Sequence, residues 1–363
     1  MCSALIRNGL VVDGSGAHRF KADICVENGR IVEVGKVRGT SDRIIDADGL
    51  IVAPGFIDIH SHSDFSLPVR PKAEGKIMQG VTTEVIGNCG LSPAPVKRAT
   101  IDLLRKYVDF ISESGLAWNW SSLGEFLDQV QRTGVAVNVV PLVGQGTVRV
   151  AIMGFDNRPP SNWELDEMRA LVKQAMEDGA FGISSGLVYP PGTYTSTDEL
   201  IELCRVASRY GGIYTSHIRG ESNSVIEAVE EAIAVGARAQ LPVEISHHKA
   251  AGKANWNKTR LTLKMMDEAK AKGVDVTCDL YPYTAVMTTL TSVLPPWVLE
   301  GGIDAALGKI TDPKLRERIK KDVERGRPDW QENYIMSSGW NGIMIVACKS
   351  EKNKAIEGKM IED

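Results

Sequence analysis

From Ala53-Pro54-Gly55 onward the sequence repeats one unit, an apolar strand, a loop and an amphipathic helix, and this rhythm restricts the chain to folds built from parallel βαβ units. The strand candidates are residues 56–60, 82–86, 136–140, 181–185, 212–216, 242–246 and 274–280. Seven such strands sit uneasily in a six-stranded open sheet, so the expected fold class is α/β, a (β/α)8 TIM-type barrel with seven strands visible and the eighth missing. The helix after the fourth strand opens on Ser196-Thr197-Asp198-Glu199, a capping-box pattern, places Leu200, Leu203, Ala207 and Tyr210 on one face, and is stopped by Gly211. The next helix is expected to bury Ile226, Val229 and Ile233.

Residues 1–53 read differently, as short strands at 4–6, 11–12, 24–27, 30–34, 43–46 and 50–52 separated by Gly-rich turns. Asn28-Gly29 is a two-residue hairpin signal, because both positions tolerate positive φ. The expected organisation is a small β domain over 1–53, the N-terminal part of a β-sandwich, then the barrel over 54–283. A segment of mixed helix and strand, inserted before the missing eighth strand, takes up 284–363.

Charge and composition narrow the function. A net charge of -4 offers no concentrated basic surface for phosphates, which argues against nucleic acid as a partner. The N-terminus has no charged leader ahead of an apolar core, and no apolar run nears the ~20 residues of a membrane helix. Six scattered cysteines, 2, 25, 89, 204, 278 and 348, read as reduced thiols of a cytoplasmic protein.

The histidines carry the chemistry. There are six, and four fall at strand ends: His60 and His62 after the first barrel strand, His217 after the fifth and His247 after the sixth. Residues two apart in a strand point the same way, so His60 and His62 are able to meet one metal at the carboxyl end of a strand, where barrel active sites lie. Singly, His217 or His247 reads equally well as a satisfied buried histidine. Together the four form a convergence that a metal explains and packing does not. Neutral imidazoles suit zinc, with iron, manganese or cobalt also compatible. Cys89, between Gly87-Asn88 and Gly90, is an ordinary buried thiol when taken alone and a soft zinc ligand when taken with the histidines.

Six segments resemble the amidohydrolase superfamily and, within it, the N-acyl-D-amino-acid deacylases or D-aminoacylases. They are Gly55-Phe56-Ile57-Asp58-Ile59-His60-Ser61-His62-Ser63-Asp64, Gly87-Asn88-Cys89-Gly90, Gly182-Ile183-Ser184-Ser185-Gly186-Leu187, Tyr214-Thr215-Ser216-His217-Ile218-Arg219, Ile245-Ser246-His247-His248-Lys249 and Asp279-Leu280-Tyr281-Pro282-Tyr283. The resemblance implies a zinc held tightly by Cys89, His217 and His247, a second, weaker metal position at His60 and His62, and hydrolysis of the amide of a small N-acyl-D-amino acid. It also implies that Lys249 and Tyr281 receive the substrate's α-carboxylate, a charge-assisted role open to a lysine, which read alone is equally a surface residue. Arg219 is assigned only as support beside His217. Relatives that open cyclic amides bridge two metals with a carboxylated lysine on the fourth strand, and residues 177–189 contain no lysine.

One part of the family pattern is not found. The resemblance implies a general-base aspartate at the end of an eighth strand, and none of the aspartates after Asp279 (304, 312, 322, 329 and 363) ends an apolar strand. No catalytic residue is therefore assigned; the base is expected beyond Asp363, and the 363-residue chain is expected to be inactive by itself. The alternatives are another activity of the superfamily, a deaminase or D-dipeptidase, and a non-catalytic scaffold. The oligomeric state is not legible.

Overall fold

The computed structural model describes residues 2–363. The chain divides into two compact units, the first formed by Met1–Ile57 with Gln79–Thr82 and the second by Asp58–Met78 with Thr83–Asp363.

The first unit is one sheet. Strands β1 (Ala4–Val11), β2 (Phe20–Glu27), β3 (Arg30–Gly35) and β4 (Ile44–Asp46) lie in the order β3-β2-β1-β4, with β5 (Ile51–Val52) also paired to β1. Asn28 and Gly29 turn the β2–β3 hairpin with φ of 50° and 73°, as their identity predicts. The strands expected at 4–6 and 11–12 are a single strand whose register shifts between Ile6 and Gly9. Asn8, at φ 62°, forms the irregularity there, so a residue pair that reads as a break acts as a bulge. Leu5, Cys2, Cys25 and Val37 form one small core, and Val11, Ala22 and Ile24 another. Cys2 and Cys25 are disulfide-bonded, with Cα atoms 5.5 Å apart, which corrects the reading of all six cysteines as free thiols. Antiparallel pairing of β1 with β2 brings together positions 23 residues apart, a closure that cysteine spacing alone does not reveal.

All seven expected barrel strands are present, as β6 (Phe56–Asp58), β7 (Val81–Ile86), β8 (Asn138–Pro141) with β9 (Val143–Gly144), β10 (Gly182–Gly186), β11 (Ile213–His217), β12 (Val243–Ile245) and β13 (Val276–Cys278). The third strand is split. Its first half, β8, pairs in parallel with β7, its second half, β9, pairs with β10, and the two runs β6-β7-β8 and β9-β10-β11-β12-β13 succeed one another through Leu142. This is the mixed α/β, parallel-strand pattern of a TIM-type barrel.

Between the strands run α1 (Glu74–Ile77), α2 (Ile101–Tyr107), α3 (Leu123–Thr133), α4 (Gln145–Met153), α5 (Asn162–Glu177), α6 (Thr197–Ser208), α7 (Val225–Ala239) and α8 (Lys258–Ala271). Ser196 caps α6 by accepting the Glu199 N–H at 3.2 Å, and Leu200, Leu203 and Ala207 are buried as expected. Tyr210 corrects that reading. It lies past the helix end, exposed, with its hydroxyl donating to Glu177 at 3.0 Å. In α7 the buried stripe is Val225, Ala228, Val229, Ala232 and Val235, which leaves Ile226 and Ile233 at its margin.

Residues 284–363 contain α9 (Ile303–Thr311), α10 (Pro313–Arg325), α11 (Tyr334–Ser338) and 3-10 turns around a separate cluster that includes Val298, Leu299, Ile319, Val323 and Trp330. The expected strands are absent among the described residues, where only two isolated bridges occur. The segment packs on the barrel through polar contacts: Tyr194 donates to the Pro296 carbonyl at 2.6 Å, and the Glu332 carboxylate accepts from Ser222 N–H at 3.0 Å and from its hydroxyl at 2.6 Å.

Candidate metal centre

Every chemistry-bearing residue named from the sequence lies at or just past the carboxyl end of a barrel strand, but the local geometry is not that of extended strands. β6 stops at Asp58, and His60 turns back so that its N–H meets the Asp58 carboxylate at 3.1 Å. The His60 and His62 rings meet edge to face with centroids 5.4 Å apart. The backbone of Ser61 is pinned to Val85 at 3.0 Å, and its hydroxyl donates at 3.0 Å to Glu84, a carboxylate buried in β7 that also takes the Ser63 hydroxyl. Glu84 thereby sets the loop that carries both histidines.

Cys89 follows β7 in left-handed backbone at φ 54°, between Gly87 at 79° and Gly90 at 73°. A Cβ on Gly87 would collide with the Leu142 carbonyl, and one on Gly90 would come within 2.8 Å of the Gly186 nitrogen. The glycines therefore let the chain pass close under β9 and β10 while turning the Cys89 side chain into the mouth. Cys89 Sγ lies 3.3 Å from His60 Nε2 and 3.5 Å from His247 Nε2.

His217 ends β11 as expected, and His247 lies two residues past β12 at φ 38°. Its Nε2 is 3.0 Å from His217 Nδ1. Two triads result, His60–His62–Cys89 and Cys89–His217–His247, each with donor atoms mutually within 4.8 Å and with Cys89 common to both. Burial raises the Cys89 thiol, but His60 beside it and the contacts to His217 and His247 hold it well below the usual thiol range. Burial opposes a charge on His247, yet Glu221 and Cys89 lift it to about 9. His217 is driven down by burial.

The donor set fits a zinc ion: a buried thiolate with imidazoles around it is soft and nitrogen-rich. His62 Nδ1 is buried without a hydrogen-bond partner among the described residues, whereas on His217 it is Nδ1 that faces His247 and Nε2 that lies toward Glu221 Oε1 at 3.9 Å.

Lys249 reaches the site from beyond the turn at His247. Its Nζ lies 2.9 Å from His247 Nδ1, 2.5 Å from Glu221 Oε1 and 5.4 Å from the Tyr281 ring centroid. Tyr281 is three residues beyond the end of β13, with its ring 6.3 Å from that of His247. Arg219 turns away from His217 to Glu231 at 2.8 Å and to the carbonyls of Thr193 and Thr195. His248 is likewise turned aside, onto the Thr262 hydroxyl at 2.8 Å.

Two carboxylates at the site were not singled out from sequence as its supports. Asp279 accepts the His247 N–H at 2.5 Å on one oxygen and contacts His60 Nδ1 at 3.2 Å with the other, so it ties the two triads together. Glu221, 3% exposed, contacts His247 Nδ1 at 2.8 Å. Burial would raise its carboxyl, but His247, His217 and Lys249 hold it well below the usual carboxylate range. The available signal was its place four residues after His217 in His217-Ile218-Arg219-Gly220-Glu221.

A family model described as Amidohydrolase family matches residues 43–328. The chain is 40% identical over 287 residues to the D-aminoacylase of Alcaligenes xylosoxydans xylosoxydans, a match covering 79% of this chain and 58% of that protein. Among solved structures it is similar to a D-aminoacylase described for its binuclear metal centre (TM-score 0.72, 37% identity, 78% of this chain and 59% of that one). It is also similar to an N-acyl-D-glutamate deacylase from Bordetella bronchiseptica complexed with zinc and a phosphonate mimic of the tetrahedral intermediate (TM-score 0.71, 36% identity, 78% and 59%). The chain thus spans less than two thirds of the length of these relatives.

Proposed function

The chain belongs to the amidohydrolase family, and on that premise we propose that its site serves the zinc-dependent hydrolysis of the amide bond of N-acyl-D-amino acids. The observation that carries this reading is the meeting of one buried thiolate with histidines from three strand ends, with a lysine beside them. Similarity to relatives named for N-acyl-D-amino-acid hydrolysis supports the choice of substrate. In this proposal Cys89, His217 and His247 hold the tighter zinc, and His60 and His62, sharing Cys89, hold a weaker second metal. Zinc bound there would supply Lewis acidity to polarise the acyl carbonyl and activate water.

The remaining roles belong to the chain's own groups. Asp279 and Glu221 fix the ring orientations of His60 and His247, leaving the opposite ring nitrogens turned toward Cys89. Lys249 keeps N–H donors beyond the one used by Glu221, and with Tyr281 it would hold the α-carboxylate of the substrate, orienting the amide at a fixed distance from the triads. Holding the carboxylate on one side and the amide on the other is what would select one hand of the α-carbon.

The test is to load the purified chain with zinc and titrate it with N-acetyl-D- and N-acetyl-L-amino acids, following both calorimetric binding and release of free amino acid. Binding confined to the D series is the expected result. Equal binding of both hands, or preference for the L series, would remove the substrate assignment.

A further inference from the structure

Glu221 places a single oxygen between two groups with different tasks. Its Oε1 is 2.5 Å from Lys249 Nζ and 2.8 Å from His247 Nδ1, and those two nitrogens are themselves only 2.9 Å apart. For His247 Nε2 to ligate a metal on the Cys89 side, Nδ1 must carry the proton and needs an acceptor. Lysine has donors only, so Glu221 is the acceptor that both groups compete for.

The backbone that carries this carboxylate is held in place. Its residue is buried, its N–H donates to Glu332 at 2.5 Å, and its carbonyl accepts from Ala251 N–H at 2.6 Å. Glu332 also receives both Ser222 donors, so residues 284–363 anchor the loop in which Glu221 sits.

We propose that Glu221 is a positioning residue that couples the metal centre to the carboxylate-binding lysine, so that whatever neutralises or removes the Lys249 charge strengthens the Glu221–His247 contact and tightens the metal. The lysine's role is taken from the function proposed above, and the coupling itself is a property of this oxygen and its two donors. It implies that a ligand carboxylate seated on Lys249 and zinc seated on His247 favour one another, since coupling of two binding events is reciprocal.

The experiment is a double-mutant cycle on the full chain, with zinc affinity read by competition against a chromophoric chelator. Glu221→Gln, which keeps size and removes charge, should weaken zinc by about 10–100-fold, the usual effect of losing a ligand's outer partner. Lys249→Met should tighten zinc severalfold in the parent, and much less when Gln occupies position 221. A Lys249→Met effect equal in both backgrounds would mean that the lysine acts on the metal directly through space, and would overturn the coupling. So would wild-type zinc affinity in the Glu221→Gln chain. Should the first variant not fold, Glu221→Asp, whose shorter side chain draws the carboxylate back from both nitrogens, supplies the second background of the cycle, and zinc binding left unchanged by Lys249→Met in the parent is by itself incompatible with competition for Glu221. Hydrolysis does not enter the readout: a chain that shows the cycle but does not discriminate D from L amides retains the coupling and loses the substrate assignment.

Discussion

Replacing Cys89 with Ala removes the one donor shared by the two triads, so a single substitution is expected to dismantle both metal positions. Zinc bound by four protein ligands has apparent binding free energies of roughly 10–16 kcal/mol, which apportions about 2.5–4 kcal/mol to each donor. At ~1.4 kcal/mol per decade this is a loss of about 10²–10³ in affinity at each position. The histidines provide the contrast. His217→Ala leaves His60, His62 and Cys89 together, and His62→Ala leaves Cys89, His217 and His247 together. The assay is zinc content after dialysis, then chelator competition, with far-UV circular dichroism to confirm folding; alanine accommodates the buried position, where Cys89 is 4% exposed. Tight zinc should vanish with Cys89→Ala and with His217→Ala, and persist with His62→Ala. Wild-type zinc retention in Cys89→Ala, or equal losses in the two histidine variants, would refute the shared-ligand reasoning.

Zinc affinity should also depend on pH: with His247 held up to about 9 in the metal-free chain, ligation must expel its proton, so affinity rises with pH and levels off near that value. Calorimetry at pH 7.5 in buffers of different ionisation enthalpy should show about one proton released per tight zinc; no release would place His247 outside the ligand set. Lys249→Ala should cost roughly 1.5–3 kcal/mol in calorimetric binding of an N-acyl-D-amino acid to the zinc-loaded chain, about one to two decades in Kd, and an unchanged Kd would remove Lys249 from substrate capture. Away from the metal, Arg149 is fully buried and held by Glu199 at 2.7 and 2.6 Å, so Glu199→Leu strands a charge and should lower stability by about 3–5 kcal/mol in urea unfolding. A loss below 1 kcal/mol would show that the carbonyls of Asp156 and Arg158 satisfy the guanidinium without it.

Much of the molecule was legible in the residues because it depends on short-range periodicity. Alternating strand and helix patterns locate the seven barrel strands to within a few residues, Asn28-Gly29 turns the predicted hairpin, and Ser196 caps the predicted helix. The histidines were recognisable because a polar ring at the end of an apolar strand has no local explanation. Tyr210 and the stripe of α7 were misassigned because helix ends and the exact direction of a face depend on what packs against them.

What pattern could not decide is which atoms meet. Lys249 reaches Glu221 because His247 adopts φ 38°, a conformation that extended-strand reasoning does not anticipate. The Cys2–Cys25 bond, the passage of Gly87 and Gly90 beneath neighbouring strands, and the seat of Glu332 on the Glu221 loop join positions from 23 to 111 residues apart. Sequence determined which chemical groups stand at the strand ends, since burial and periodicity are local properties. Tertiary structure alone decided that Cys89 belongs to both triads and that one carboxylate oxygen faces both a histidine of the site and a lysine, because distances between loops arise only when the parallel strands align their carboxyl ends.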